Sequence, residues 1–413
     1  MVPGASGAYR TVVHRWRGRP IARGQYRSHV HTCVDRSSSW ARFSGRLATR
    51  AVECVDIEAQ PERLRSGLWF VVVDFEAAIG GAAGGSTGRA GRARAWRFAE
   101  VRDDDGTAAG PGWAGPAVGT WRSSLDQAAY EAAVRRVREH VRAGDVYQAN
   151  VCRVLEAPLP VAADGREPDA AGLARVLAAG NPAPHAAAVH VPGGGGVDPV
   201  WVVSASPELY LSLRTDAGRG VLGSGPIKGT ARTPEGLTEK DRTENVMITD
   251  LVRNDLQRVC RPGTVEVTDL LAVEEHPGLV HLVSRVRGVV AGDVAGAPDL
   301  WRRLLDGTFP PGSVSGAPKS SALRLIGELE PVPRGPYCGA VGWVDADAGT
   351  AELAVGIRTF WWERTGTEGE GVLRFGTGAG ITWGSDPRSE WHETELKAAR
   401  LVGLASRQAL PQG

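Results

Sequence analysis

What most limits the fold of this chain is how its extended segments are joined. Strand-like runs meet mostly through short turns, without a helix after every strand. That pattern argues against a regular parallel β-α-β architecture and predicts an α+β fold with antiparallel sheets. Residues 68–76 (LWFVVVDFE) read as a buried strand and 146–155 as another, with a turn at Gly193–Gly196. Two short strands flank Ser206-Pro207-Glu208, a further strand runs through 280–290, and 337–363 reads as a long hairpin turning at Asp347-Ala348-Gly349. Ser124 is placed to cap a helix whose apolar face is Tyr130, Val134, Val137 and Val141, closing at Gly144. Thr238 opens a second helix with Ile248, Leu251, Val252, Leu256 and Val259 on one face. A third spans 318–328, and the last starts at Pro387, behind Ser385 or Asp386, and continues to about Ser406.

The 413 residues are enough for one large domain or two ordinary ones. Residues 1–50 carry ten arginines and one acidic residue, Asp35. Such a stretch is either a basic arm for phosphate-rich partners or an extension outside the packed fold. The second is expected, because no aromatic-basic pattern accompanies it. Gly-, Ala- and Arg-rich 80–94 and Gly/Pro-rich 106–119 read as loops. Residues 1–120 are therefore expected to form a short N-terminal region, and 121–408 the main domain.

A formal net charge of +1 gives no whole-molecule field for nucleic acid or an acidic membrane. Cys33, Cys54, Cys152, Cys260 and Cys338 are scattered and never form a C-x-x-C pair, which argues against a disulfide framework or zinc site and fits a reducing cytoplasm. No apolar run approaches the ~18 residues that span a bilayer. The N-terminus also lacks the apolar core of a signal peptide. A soluble cytoplasmic protein with no nucleic-acid or membrane partner is expected.

Chemistry concentrates in a few places. In Pro226-Ile227-Lys228-Gly229-Thr230 a lysine is held between turn formers, and a positioned amine becomes a nucleophile when its surroundings lower its pKa. Taken alone, the same lysine reads as an exposed loop residue, and it is the surrounding motifs that favour the nucleophile. Asp241 and Glu244 stand three apart on one predicted helix, Glu390 and Glu393 three apart on another, with Lys397 four further on. Two carboxylate pairs facing across a cleft can hold Mg²⁺ when an anionic substrate completes the octahedron. They can equally be first-turn acids that complement helix dipoles. Gly376-Thr377-Gly378-Ala379-Gly380-Ile381 reads as a three-glycine turn able to cradle a carboxylate with backbone N–H groups. Gly312-Ser313-Val314-Ser315-Gly316-Ala317-Pro318-Lys319 reads as a loop feeding a helix N-terminus, without the glycine-lysine order of a nucleotide loop. Arg358 can clamp a carboxylate. His281, alternating with apolar neighbours, is either a core histidine or a proton carrier.

These segments, in this order, resemble the chorismate-utilising enzymes. The resemblance runs from residue 121 to 405 through GDVYQAN, SASPE, PIKGT, KDRTENVMITDLVRNDLQRV, VHLVSRVRG, FPPGSVSGAPK, RGPYCGAVGW, AVGIRT and GTGAGITWGSDPRSEWHETELKA. It implies two antiparallel β-sheets packed as a sandwich and surrounded by helices, with the site between them. It implies that Glu244 and Glu393 bind Mg²⁺ directly, with Asp241 and Glu390 assisting through water, and that the metal holds the ring carboxylate of chorismate. Tyr337 and Arg358 would hold the enolpyruvyl carboxylate, Gly378, Ala379, Gly380 and Lys397 would contribute to carboxylate binding, and His281 and Ser315 would line the ring pocket.

Two positions separate reactions within the family. Water-adding members carry a lysine base near Gln148, and a glutamine cannot abstract a proton. Anthranilate-forming members usually have alanine in the PI-x-GT turn, where this chain has Lys228, so it resembles the branch that aminates C4. There the lysine adds at C2 and expels the C4 hydroxyl, and ammonia then enters at C4 and expels the lysine. Glu208 is the candidate acid/base for the departing hydroxyl. The expected product is 4-amino-4-deoxychorismate, for 4-aminobenzoate in folate or secondary metabolism. No cysteine lies in a G-x-C-x-G elbow, so ammonia is expected from a partner glutamine amidotransferase subunit. A separate pyridoxal-phosphate lyase, the aminodeoxychorismate lyase, would then release pyruvate. The competing readings are an anthranilate-forming component and a non-catalytic chorismate-binding protein.

Gly384 stands where the family usually has Asp, and Thr249 and Gln257 replace a common Val and Gly. The family's tryptophan-binding segment has no match in residues 1–120.

Overall fold

The computed structural model describes residues 38–79, 91–104, 112–231, 233–276, 279–366 and 369–406. The readings made for residues 1–37 and for most of the two glycine-rich loops lie outside them.

Every strand pairing is antiparallel, and the pairings join into one path. Gln148–Pro158 lies beside Gly371–Ile381, followed by Thr359–Arg364, Val200–Ser206, His185–Val191, Trp40–Phe43 and Arg46–Asp56. The path continues through Ala93–Asp103, Leu68–Val73, Ala340–Asp345, Thr350–Val355, Leu209–Asp216, Arg219–Gly225 and Leu279–Val289. Ile227–Ala231 continues Arg219–Gly225 against one side of Leu279–Val289, and Glu266–His276 pairs with its other side. The antiparallel α+β class therefore holds, but hydrogen bonding does not divide the strands into two sheets. The four-residue strand Trp40–Phe43 joins the two halves. Strands from both sides of residue 120 belong to this one network.

Seven helices are described: α1 (Gln127–Ala143), α2 (Ala170–Gly180), α3 (Glu239–Gln257), α4 (Gly292–Ala295), α5 (Leu300–Thr308), α6 (Lys319–Leu329) and α7 (Pro387–Ala405). In α1 the buried face is Tyr130, Val134 and Val137, and the helix ends on Gly144 at φ 83°. Its cap is Asp126, whose Oδ1 accepts the Ala129 N–H at 2.8 Å. The predicted cap, Ser124, instead accepts the Val154 N–H at 3.0 Å and fastens the chain to the sheet. Asp386 caps α7 through the Ser389 N–H at 2.9 Å.

The hairpin predicted for 337–363 is confined to Ala340–Val355. At Arg358 the backbone swings to φ 54°, and Thr359–Arg364 leaves to pair with Gly371–Ile381 and Val200–Ser206. No described helix is long and apolar enough to cross a membrane. Cys54, Cys152, Cys260 and Cys338 are free thiols.

Candidate active site

Lys228 lies in the strand Ile227–Ala231, opposite Leu282, and His281 sits opposite Thr230. The ladder slips one residue between Lys228 and Thr230, at Gly229. Gly229 has φ 79°, and a Cβ there would lie 2.8 Å from Asp241 Cβ, so only glycine lets this strand approach α3 so closely. His281 is buried, and the neighbouring Leu282 carbonyl accepts Asn245 Nδ2 of α3 at 2.9 Å. The lysine-bearing strand is thus fixed against the acidic helix.

Glu208, 5% exposed, stands close enough to Lys228 for the ammonium to act on it. Burial pushes its carboxyl up to about 7, against the opposing influence of Ser313, Lys228, His185 and the Ile227 N–H. A buried carboxyl titrating near neutrality suits an acid/base group.

α7 presents Glu390, Glu393, Lys397 and Arg400 at steps of three, four and three, which keeps them near one face. Lys397 Nζ lies 2.6 Å from Glu393 Oε1 and donates to the Gly378 carbonyl at 3.1 Å. From α3, Lys240 Nζ lies 3.6 Å from Glu244 Oε1 and 3.6 Å from Glu390 Oε1. Burial raises the Glu390 carboxyl, Glu393 and Glu244 add to the rise, and Ser385 and Lys240 oppose it. For Glu393, burial is outweighed by Lys397, Lys240 and Lys228, and the carboxyl falls below its ordinary value.

Carboxylates from two helices thus converge on one cation, but that cation is the Lys240 ammonium. Among the described residues no three His, Cys, Asp or Glu side chains are grouped closely enough to chelate a metal as they stand. Asp241 is engaged elsewhere: its Oδ2 accepts the Thr238 N–H at 2.8 Å and the Thr238 hydroxyl at 2.7 Å, closing the capping box of α3. The helix-end reading of that acid therefore holds locally. The donor set of Glu244, Glu390 and Glu393 fits a hard divalent cation in charge and ligand type, once Lys240 yields its place.

The glycine-rich segment corrects the sequence reading, since Gly376–Ile381 is part of a strand and not a turn. One side pairs with Gln148–Pro158, while the neighbour on the other side stops at the pair Phe360–Phe375. The departure at Arg358 is what leaves that second edge open beside Gly378, Ala379 and Gly380. Gly376 is required for a different reason: a Cβ there would lie 2.0 Å from Cγ of the buried Tyr337 ring.

Arg358 has no carboxylate acting on its guanidinium among the described residues; burial and Arg400 both act against its charge. An uncompensated, largely buried guanidinium suits an anionic ligand. Gln148 is 1% exposed, donates to Asn150 Oδ1 at 3.2 Å, and has no partner for its own Oε1 among the described residues. Ser315 is buried, with Oγ donating to the Pro311 carbonyl at 3.0 Å and its carbonyl accepting the Asn150 N–H at 2.8 Å.

Lys240 and Asp255 escaped the sequence reading. Lys240 was legible as the i, i+4 partner of Glu244, whereas Asp255 needed tertiary contacts to be noticed. Lys319 does not face an anion site; Nζ donates to Asp255 Oδ2 at 2.8 Å and to the carbonyls of Thr308 and Pro310.

The chain is 39% identical over 301 residues to anthranilate synthase component 1 of Streptomyces coelicolor, a match covering 70% of this chain and 53% of the relative. It is 34% identical to aminodeoxychorismate synthase component 1 of Klebsiella aerogenes over 68% of this chain and 59% of that protein. The chain thus spans little more than half the length of these curated relatives. Among solved structures, anthranilate synthase component I from Streptococcus pneumoniae superposes with a TM-score of 0.68 at 22% identity, covering 87% of this chain and 92% of that one. The menaquinone-specific isochorismate synthase of Escherichia coli does so at 0.67 and 16%, covering 91% and 90%. At such identities these two speak for the fold alone. The family model for chorismate binding enzymes matches residues 100–403, and the chain belongs to that family.

Proposed function

We propose that this chain aminates chorismate at C4, giving 4-amino-4-deoxychorismate. The observation that carries the reading is Lys228 beside the buried, near-neutral Glu208 on the strand that faces α3. Lys228 Nζ, as the free amine, adds at C2 while Glu208 protonates the departing C4 hydroxyl, which leaves as water; ammonia then forms the C–N bond at C4 as the C2–lysine bond breaks, and the Glu208 carboxylate takes back the proton that ammonia sheds. Arg358 and Tyr337 hold the enolpyruvyl carboxylate, with the open edge at Gly378, Ala379 and Gly380 and the ammonium of Lys397 nearby. His281 and Ser315 line the ring pocket, and Gln148 offers no base for water addition. Glu244, Glu390 and Glu393 would hold Mg²⁺, with Asp241 assisting through water; when bound, the metal neutralises a substrate carboxylate. Ammonia comes from a partner glutamine amidotransferase, and a separate lyase completes 4-aminobenzoate for folate or secondary metabolism.

The likeness to anthranilate synthase components favours a second reading, amination at C2. Incubating the chain with chorismate, Mg²⁺ and an ammonium salt separates the two. A non-aromatic amine that added aminodeoxychorismate lyase converts to 4-aminobenzoate supports C4 chemistry. Anthranilate overturns it.

Two further outcomes are expected. As a general acid Glu208 must be protonated, so turnover falls as pH rises through about 7. Glu208→Gln should lower kcat by roughly 10²–10⁴-fold and erase that limb; a mutant that keeps the limb assigns it to another group. Linkage has the same sign. The folded carboxyl binds its proton more tightly than its ordinary value of 4.5 allows, so its contribution to stability is present at low pH and lost as pH rises toward 7.

Lys240→Met removes the resident cation. Calorimetry should then show Mg²⁺ binding tightened by roughly three- to tenfold, with a lower melting temperature for the metal-free protein. Unchanged Mg²⁺ affinity would show that Lys240 does not compete for the site.

A further inference from the structure

Asn245 follows Glu244 on α3 and is completely buried. Its Nδ2 donates to the Leu282 carbonyl at 2.9 Å. Its Oδ1 accepts two hydroxyls, that of Ser284 and, at 3.3 Å, that of Thr249 one turn further along the helix. With donor and acceptor both taken, the amide is held in one orientation. Ser284 is also completely buried; its Oγ accepts the Leu271 N–H at 3.1 Å, and its own N–H donates to the Pro226 carbonyl at 3.1 Å. Leu271 sits at φ 57°, and a leucine keeps that left-handed backbone only where its surroundings over-determine it.

These bonds reach Lys228 by two routes. Leu282 is its partner across the ladder, beside the slip at Gly229, and Pro226 stands two residues before it. One turn earlier on α3, Asp241 is the residue that Gly229 abuts. The lysine-bearing segment is therefore tied to α3 at two points one helical turn apart, with Glu244 between them. In the proposed reaction the ring carboxylate, on C1, is held from the Glu244 side, and the lysine adds at the adjacent carbon, C2. The amine and the group serving the carboxylate must then keep a fixed spacing, and an error of ~1 Å costs about 10²-fold in rate. We propose that Asn245 is the positioning residue that sets the spacing between Lys228 and Glu244 and thereby directs the first bond to C2.

The inference rests on Lys228 acting as the nucleophile in the proposed reaction. The test uses the full chain as Asn245→Leu, which keeps the shape of the side chain and removes the tie. Because that change strands a buried carbonyl and a buried hydroxyl, Ser284→Ala is run beside it. With chorismate, Mg²⁺ and ammonium, Asn245→Leu should lower kcat for the C4 amine by roughly 10²-fold. KM for chorismate should stay within about threefold, and the share of anthranilate in the remaining product should rise, since a misplaced lysine leaves C2 open to ammonia. Ser284→Ala should act the same way more weakly, by about three- to tenfold. The double variant should lose no more than Asn245→Leu alone, because both act through one tie. Metal-free crystal structures of the single variants should show Lys228 and Glu244 displaced relative to one another by about 0.5 Å or more. A lower melting temperature with the native product ratio and an unmoved Lys228–Glu244 pair would make Asn245 a packing residue and overturn the proposal. If the native chain forms no 4-amino-4-deoxychorismate, the proposed function fails by itself. The crystal comparison then decides the positioning alone: a displaced pair upholds it, and an unmoved pair overturns it.

Discussion

Replacing Lys228 by alanine is expected to lower 4-amino-4-deoxychorismate formation by about 10³-fold or more, the scale of losing a covalent nucleophile. That corresponds to roughly 4 kcal/mol of transition-state stabilisation. Lys228 is half-buried on a strand pinned to α3 through the close approach at Gly229, so the backbone should keep its place and chorismate and Mg²⁺ should still bind. Without the amine, C2 is open to ammonia, and any residual amination should appear there. The measurement is product analysis by mass and fluorescence at saturating ammonium. Undiminished C4 product from the variant would end the nucleophile assignment; a shift of the residual product toward anthranilate would support it.

The second large effect is on stability. Arg334 is 1% exposed and lies within a buried knot. Its guanidinium donates to Glu330 through Nε at 2.7 Å and Nη2 at 2.5 Å, and to the carbonyl of Val314 at 2.8 Å and of Asn150 at 3.3 Å. It also stacks over Phe75 at 4.2 Å. Glu330 Oε1 in turn accepts the Cys152 N–H at 2.9 Å. One side chain thereby ties the strand bearing Gln148 and Asn150 to the turn bearing Ser313 and Ser315. Arg334→Ala leaves the Glu330 carboxylate buried without its cation and should cost about 3–5 kcal/mol. Denaturant unfolding should show the loss as a lower midpoint. Arg334→Ala with Glu330→Gln should recover part of it, because the stranded charge is gone. A single variant within 1 kcal/mol of the native protein would refute the knot's role.

What was legible in the sequence is what short-range chemistry writes into it. The capping box at Thr238 and Asp241, Pro387 at the first position of α7 and Gly144 past the end of α1 each act within a few residues. The gaps have equally physical causes. In α2 the run of alanine and glycine blurs the apolar period, and Asp169 makes no side-chain cap bond. In α5 the period was present in Trp301, Leu304 and Thr308, but nine residues give little of it. The glycines at 376–380 look like a turn because glycine favours turns. Here they are demanded by Tyr337 and the neighbouring strand, partners remote in sequence. The same holds for the site. Spacing pairs Glu390 with Glu393, yet only tertiary structure reveals that Lys240 sits among the carboxylates.

The strand Trp40–Phe43 carries the hydrogen-bonded path from one half of the sheet to the other, while one apolar core packs both halves. Gln148 and Gly378 belong to one half, and Lys228 and His281 to the other. A ligand held by both halves adds its binding free energy to that shared core, and the folded state gains by mass action.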